Sequence, residues 1–583
     1  MAQSIFDERD IMFNVVECPG SSKVLEIEKY EDFGVDDLEM IFEQARQFAD
    51  DHLFASNAEC DREGSHLDKG IVKTPDVMKK LWADYVEIGT IGVSSNPEYG
   101  GTGMPHLFAT PLTELDCGGN LSFSMINLLT REAANVIDSF GTDELKDIYL
   151  EPLFSGQWTG TMCLTEPQAG SDVGAASSKA IPQSDGSYLI EGTKSFISWG
   201  DHDLTENIIH LVLARIEGAP KSSKGLSLFV VPKIRVDENG QLGAENDVIC
   251  SSVEHKMGIK ASPTCVLNFG ENGACQGFLI GEANAGLSHM FQMMNAARNG
   301  VGIQGLAIAS VAANLAEAYA KERKQGSLPG QKTSIEIAHH PDVKFMIWKM
   351  RALVQAIRSL IYHGAYFEDL RYHPEEAEKA ETLFALLTPI NKSYATDLGF
   401  KVTELAMQVY GGYGFCQDFP IEQLMRDIKI TSIYEGTNGI QALDLVFRKI
   451  LGSKGKATDL LIQEIEKILA DAKPKMPDEV EKTESCLKSF KAALAHIGQL
   501  AGSGNFLQLQ FHATQFMLGM GHLVGAAFLL KSASIAHAKY ESDAFYKLKV
   551  DSTRFFIDYV LPEANSIFHT VTIVDGGLVK ETL

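Results

Sequence analysis

Two changes in apolar periodicity constrain the fold more than any other feature of this chain. From Val35 to Phe154 apolar residues recur at helical spacing; in VDDLEMIFEQARQFADDHL, Leu38, Ile41, Phe42, Ala45 and Phe48 share one face. At Met162 short β-rich runs take over, among them Tyr188 to Ile190, Lys194 to Ile197, Ile208 to Leu213 and Leu226 to Val231, with Gly, Pro and Asp between them. Near Gly286 helical spacing returns and persists. At 583 residues the chain exceeds what one core can serve. The pattern therefore predicts a mainly α protein with a small β domain. Its parts are an N-terminal extension (1–34) with no structure assigned, an all-α domain (35–160), a middle antiparallel sheet or barrel (161–285), an α-helical bundle (286–452) and a further helical domain (453–583). One helix is expected across Thr113 to Phe140, and the last helix is expected to end at Val560.

Net charge is −26 with no block of Lys or Arg, which argues against nucleic acid and against an anionic membrane surface. Nine cysteines lie scattered without a CxxC pair, so reduced thiols are expected, with neither a disulfide framework nor a metal site. MAQSIFDERDIM has no apolar core of a secretory signal, and a cytoplasmic location is expected. The stretch Phe516 to Leu530 is too short to span a bilayer and reads as a buried helix.

Two stretches carry the chemistry. In SIYEGTNGIQALDL, Ser432 to Leu445, Glu435 precedes Gly436, and Thr437 or Asn438 is placed to cap a helix whose apolar face is Ile440, Leu443, Phe447 and Leu451. A carboxylate there either favours the helix dipole from solvent or stands beside amides suited to a phosphate or an oxyanion. In MCLTEPQAGSDVGA, Met162 to Ala175, a β-like run ends in a turn with two hydroxyls, Thr165 and Ser171. Such a turn is either purely structural or offers free amides to a ligand. No GxGxxG follows a strand and no GxxxxGK[ST] occurs, so Rossmann and P-loop sites are unsupported.

Together these stretches resemble the acyl-CoA dehydrogenase family, FAD-dependent enzymes that desaturate acyl-CoA thioesters between the α and β carbons. The resemblance runs from roughly residue 40 to the C-terminus, and the domain order is that of the larger members with an added C-terminal helical domain. GTKSFISWGDHDLTENIIHLVLAR and MNAARNGVGIQGLAIA are similar to bacterial members related to 3-methylmercaptopropionyl-CoA dehydrogenase, a group that includes enzymes for straight-chain fatty acyl-CoAs.

The resemblance implies that Glu435 is the base that removes the α proton, with Gly436 beside it at the substrate. Removing that proton requires a nearby carboxylate and donors at the thioester oxygen, for which the family uses the base's own N–H and a flavin hydroxyl. Hydride then passes from the β carbon to flavin N5. Burial against the flavin is expected to raise the pKa of Glu435. Some members place the base on another helix, here Asn295 to Arg298, which contains no carboxylate. The resemblance also implies flavin contacts from Met162, Leu164, Thr165, Phe196 and Ser198, although the family often has Trp-Ile-Thr where this chain has Phe196-Ile197-Ser198. Arg323, Gln408, Gly411, Gly412, Thr437 and Asn438 correspond to residues at the rest of the FAD, which in the family reaches across a dimer interface. Ser171 and Arg298 correspond to substrate-side residues, and Phe123, Met125 and Leu128 are candidates for the pocket floor. The implied partners are an acyl-CoA, an electron transfer flavoprotein and a second or further copies of the chain, as homodimer or tetramer, in β-oxidation of fatty acids. An acyl-CoA oxidase using oxygen and a non-catalytic flavin-binding assembly protein are the rivals; retention of Glu435 argues against the second.

Overall fold

A computed structural model describes residues 4–330 and 332–573. The chain forms two compact units, one made of Leu38–Pro105 and Leu115–Gly300, the other of residues up to Asp37, His106–Glu114 and the chain from Val301 onward.

The helical block ahead of the sheet departs from the expected pattern twice. The segment read as one helix is two, His106–Gly119 and Leu121–Phe140. Asn120 lies between them in an extended conformation, and its side-chain oxygen accepts the Phe123 N–H at 3.1 Å, capping the second helix. The block is also not wholly α, because His66–Asp68 and Ile71–Lys73 form a short antiparallel pair. Val72 from that pair packs into the core of the sheet with Ile197, Phe229 and Leu267. Burial of each such side chain stabilises by about 1.5–3 kcal/mol.

Among the described residues the sheet has eight strands and is mixed, where a wholly antiparallel one was expected. Trp158–Cys163 runs parallel to Asn207–Ile216, in register from Trp158 opposite Asn207 to Cys163 opposite Val212. Parallel neighbours need a long crossover, and the intervening chain supplies one. Within that crossover, Lys179–Pro182 pairs with both Tyr188–Ser198 and Asn207–Ile216, closing a ring through Leu226–Pro232 and Gln276–Ile280. Tyr188–Ser198 is one strand, where the sequence suggests two separated at Gly192.

The second unit is helical. Pro341–Leu370, Ala377–Tyr410 and the later helices Lys456–Ala472, Pro477–Gly502, Phe506–Ala536, Ala544–Tyr559 and Leu561–Ile573 supply most of it. The stretch Phe516 to Leu530 lies buried inside helix Phe506–Ala536, as expected, and Leu561–Ile573 extends the fold past Val560. The part of helix Gly286–Glu322 beyond Val301 passes so close to Ala377–Tyr410 that a Cβ on Gly305 would stand 2.7 Å from the Ala395 carbonyl oxygen. A Cβ on Gly399 would stand 2.6 Å from the Gly305 oxygen.

The N-terminal extension, for which periodicity gives no structure, is fixed by buried charge. Helix Glu8–Val16 places Asp10 at 1% exposure. Its carboxylate accepts from Lys549 at 2.6 Å and from Arg358. Arg358 also donates to Glu114 at 2.5 Å and to Ser310 at 2.8 Å, and Tyr362 donates to Glu114 at 2.9 Å. Two buried cations thus face two buried anions with their hydrogen-bonding positions largely filled, the condition under which buried charge is tolerated.

Candidate active site

Glu435 sits in the second unit, between a 3-10 turn, Lys429–Ser432, and the helix Asn438–Leu443. Its φ is +56°, and that of Gly436 is +83°. The left-handed region is easy for glycine and unfavourable for glutamate, so the position is strained; such outliers persist where the surroundings over-determine them and cluster at functional sites. Glu435 is half-buried. Of the two possible caps, Thr437 caps the helix, its hydroxyl accepting the Ile440 N–H at 3.3 Å.

Asn438 turns inward, and its side chain is unavailable to a cofactor. Lys392 donates to its oxygen at 2.8 Å, and its amide donates to Asp397 at 2.8 Å and Thr396 at 3.0 Å. The expected cofactor contact from Asn438 is thereby restricted to its backbone. The apolar face beyond it also differs from the expected one. Ala442, Leu445, Val446 and Ile450 are buried, while Leu443, Phe447 and Leu451 are partly exposed. The offset is already present at Ala442 and Leu443, where the helix packs against Ala377–Tyr410 and Phe506–Ala536, and the chain continues over Asp444–Leu451 as a π-helix.

The other expected flavin residues lie together in the first unit. Met162 is in strand Trp158–Cys163, and the chain leaving it runs beside Tyr188–Ser198, where the Ser195 N–H donates to the Thr165 carbonyl at 2.9 Å. Thr165 and Ser198 are half-buried, and Leu164 is buried. Phe196 has φ +58° and is 65% exposed, so the strand end presents an aromatic ring outward beside two hydroxyls. A large exposed ring of this kind is suited to covering an apolar partner. Ser171 lies exposed on the following loop.

A buried pair that sequence reasoning missed sets the shape of this turn. Glu166 and Lys194 are 2.9 Å apart, and Lys194 also donates to the Leu164 carbonyl at 3.0 Å. Glu166 accepts further from the backbone N–H groups and hydroxyls of Ser177 and Ser178. Burial disfavours its charge, but Lys194 and these donors outweigh burial and hold its carboxyl well below the usual carboxylate range. The signal available in the sequence was a lysine flanked by strand residues, which needs a counter-ion when buried.

Arg298, in the same unit, is buried at 4% exposure and donates to Asn295 at 3.2 Å. Phe123 is wholly buried with its ring against Tyr85, centroids 5.4 Å apart, within the α block. Met125 and Leu128 are buried with it.

In the second unit Arg323 lies 5.6 Å from the Tyr413 ring, which brings it beside the turn Gly411–Phe415 that follows Gln408. Gln408, Gly411 and Gly412 are exposed, Gly411 has φ +61°, and a Cβ on either glycine would meet nothing within 4 Å among the described residues. The backbone there is open to close approach by a ligand.

Family models match in chain order. Acyl-CoA dehydrogenase, N-terminal domain, matches residues 35–157; the middle domain 161–271; the C-terminal domain 284–451; and Acetyl-CoA dehydrogenase C-terminal like 461–580. The 3-methylmercaptopropionyl-CoA dehydrogenase of Ruegeria pomeroyi is 36% identical over 99% of both chains. The broad-specificity linear acyl-CoA dehydrogenase FadE5 of Mycobacterium tuberculosis is 35% identical over 98% of both. Among solved structures, an acyl-CoA dehydrogenase complexed with FAD from Bacillus anthracis superposes with a TM-score of 0.74 at 22% identity, covering 95% of this chain and 92% of that one. A strained carboxylate turn, a hydroxyl-lined strand end and full-length likeness to named dehydrogenases agree, and the chain belongs to the acyl-CoA dehydrogenase family.

Proposed function

We propose that this protein oxidises a fatty acyl-CoA to the trans-2-enoyl-CoA, with Glu435 as the base that removes the α proton. The observation that carries the assignment is the left-handed backbone of Glu435, a strained carboxylate at the position where the family's base is found. The Glu435 N–H would polarise the thioester oxygen, together with a hydroxyl of the flavin when it is bound, and so acidify the α carbon; Gly436 stands beside the base at the substrate. Once proton transfer begins, the carboxylate needs only to stay aligned with that carbon.

The residues fit FAD. Thr165 and Ser198 offer hydroxyls, Met162 and Leu164 offer backbone groups, and Phe196 offers a ring that is exposed in this structure. Arg323 with Gln408, Gly411, Gly412 and Thr437 would hold the phosphates and adenosine, with the backbone of Asn438 completing the set. FAD, when bound, supplies the acceptor for the β hydride. Ser171 and Arg298 serve the acyl-CoA side. Family membership supports the further reading that electrons leave to an electron transfer flavoprotein; the reading is completed by a homodimer or tetramer working in β-oxidation in the cytoplasm.

Anaerobic titration with acyl-CoAs of graded length, 3-methylthiopropionyl-CoA included, tests the proposal by flavin absorbance. At least one should bleach the wild type, and Glu435→Gln should remain yellow with its FAD retained. Bleaching of Glu435→Gln at the wild-type rate would remove Glu435 from the mechanism.

A further inference from the structure

Resting on the reading of Glu435 as the base, we propose that Gln441 is a positioning residue that sets the direction in which this base is presented. Gln441 is completely buried one turn into the helix that follows the base. Its Nε2 donates to the carbonyl of Glu435 at 3.3 Å and to that of Gly436 at 3.1 Å. Carbonyls of consecutive residues converge on one amide only if the chain bends sharply between them. The two positive φ angles, +56° and +83°, are that bend.

The orientation of the glutamine amide supports a positioning role. Its Oε1 is buried with no hydrogen-bond partner among the described residues, an arrangement that is unfavourable for an amide oxygen. Flipping the amide would turn an oxygen toward two carbonyl oxygens. The carbonyls of the base turn therefore dictate how Gln441 lies, and an unpaired acceptor is left on its far side. Asn438, one helical step earlier, ties the same helix start to Ala377–Tyr410 through Lys392, Thr396 and Asp397. The left-handed pair is thus held by one donor and stands on an anchored base, the over-determination that a strained residue requires.

Gln441→Met keeps the length and unbranched shape but removes the donor. Flavin reduction by saturating acyl-CoA, followed in a single anaerobic turnover, should slow by about 10- to 100-fold, the scale of a reacting group displaced by about an ångström. FAD content and affinity for the enoyl-CoA product should stay within about two-fold of wild type. Hydrogen exchange of peptides spanning Ile433 to Gly439 should quicken by about ten-fold while other helices keep their protection. Unchanged reduction and exchange rates in Gln441→Met overturn the proposal. So does slow reduction accompanied by loss of FAD and of protection throughout the helices, since that marks a purely structural residue.

Should Gln441→Met fail to fold, Gln441→Glu decides. A glutamic acid donates only when protonated, so its reduction rate relative to wild type should fall as pH rises; a pH-independent ratio refutes the proposal. Glu435→Gln run in parallel separates the two readings. If it is inert and Gln441→Met normal, only the positioning role fails; if it is active, the base assignment itself fails.

Discussion

Replacing Lys549 with methionine removes one cation from the buried group of Asp10, Glu114, Arg358 and Lys549. Lys549 stands 2.6 Å from Asp10, and both are 1% exposed. At an effective dielectric of about 20, unit charges at that separation attract by about 6 kcal/mol. The desolvation that Lys549 no longer has to bear offsets part of that loss. Arg358 stays, but it is shared with Glu114, so the group is left with two anions and one cation. Breaking a buried pair from one side costs about 3–5 kcal/mol, and that is the expected loss for Lys549→Met. Adding Asp10→Asn restores neutrality and should recover about 2 kcal/mol of it, because the orphaned charge dominates the loss.

Denaturant unfolding followed by circular dichroism, with hydrogen exchange of Glu8–Val16, measures both quantities. Burial disfavours the Asp10 carboxylate, but Lys549 and Arg358 outweigh burial and lower its pKa. Its contribution is therefore present above the ordinary aspartate value of about 3.9 and is lost as pH falls below it. Wild type should lose stability more steeply than the double variant in that acid range. A single Lys549→Met costing under about 1 kcal/mol, or a double variant less stable than the single, would show that the cluster does not hold the N-terminal helix as argued.

Other consequences are equally accessible. Gly305→Ala and Gly399→Ala each force a Cβ into backbone across one helix crossing and should destabilise the helical unit by about 1–3 kcal/mol in thermal unfolding. Lys194→Met leaves Glu166 buried without its cation and should cost about 3–5 kcal/mol, with exchange quickening first in Leu164 to Ser178. The Glu166 contribution exists above the ordinary glutamate pKa of about 4.3 and is lost on acidification, so wild type and Lys194→Met should converge at low pH. Burial pushes the His522 pKa down to about 3, so this imidazole stays neutral in the fold while the unfolded chain takes up a proton near about 6.5. Between those values this histidine should contribute a loss of about 1.4 kcal/mol per pH unit of acidification, alongside the buried His202, His210 and His363. His522→Gln should flatten that slope, and an unchanged slope would assign the acid sensitivity elsewhere.

What the sequence displayed was local order. Helices with one apolar stripe, such as Val35–Phe48, and strands bounded by Gly or Asp announce themselves through side-chain period. Glu435 beside Gly436 marked a turn, and Thr437 marked a cap. The features that went unread depend on partners far along the chain. Asp10 looks like any acidic residue until Arg358 and Lys549 meet it. Lys194 interrupts a strand pattern unless Glu166 is known to face it. Asn438 has the chemistry of a cap or a ligand contact, and only Lys392, on another helix, fixes its inward turn. The parallel pairing of Trp158–Cys163 follows from topology, which no window of a few residues contains. The buried face that follows Asn438 is set by Ala377–Tyr410 and Phe506–Ala536, which pack on it from elsewhere in the chain.

The buried charge group also has a meaning for how this protein can be shortened or lengthened. Asp10 comes from helix Glu8–Val16, Arg358 from the bundle and Lys549 from helix Ala544–Tyr559. A chain cut after Gly452 would leave Asp10 competing with Glu114 for one arginine. A chain begun after the first helix would leave Lys549 with no anion from it. The opening helix and the C-terminal helices thus behave as one inherited module, to be kept or discarded together when the catalytic framework is trimmed, fused or recombined.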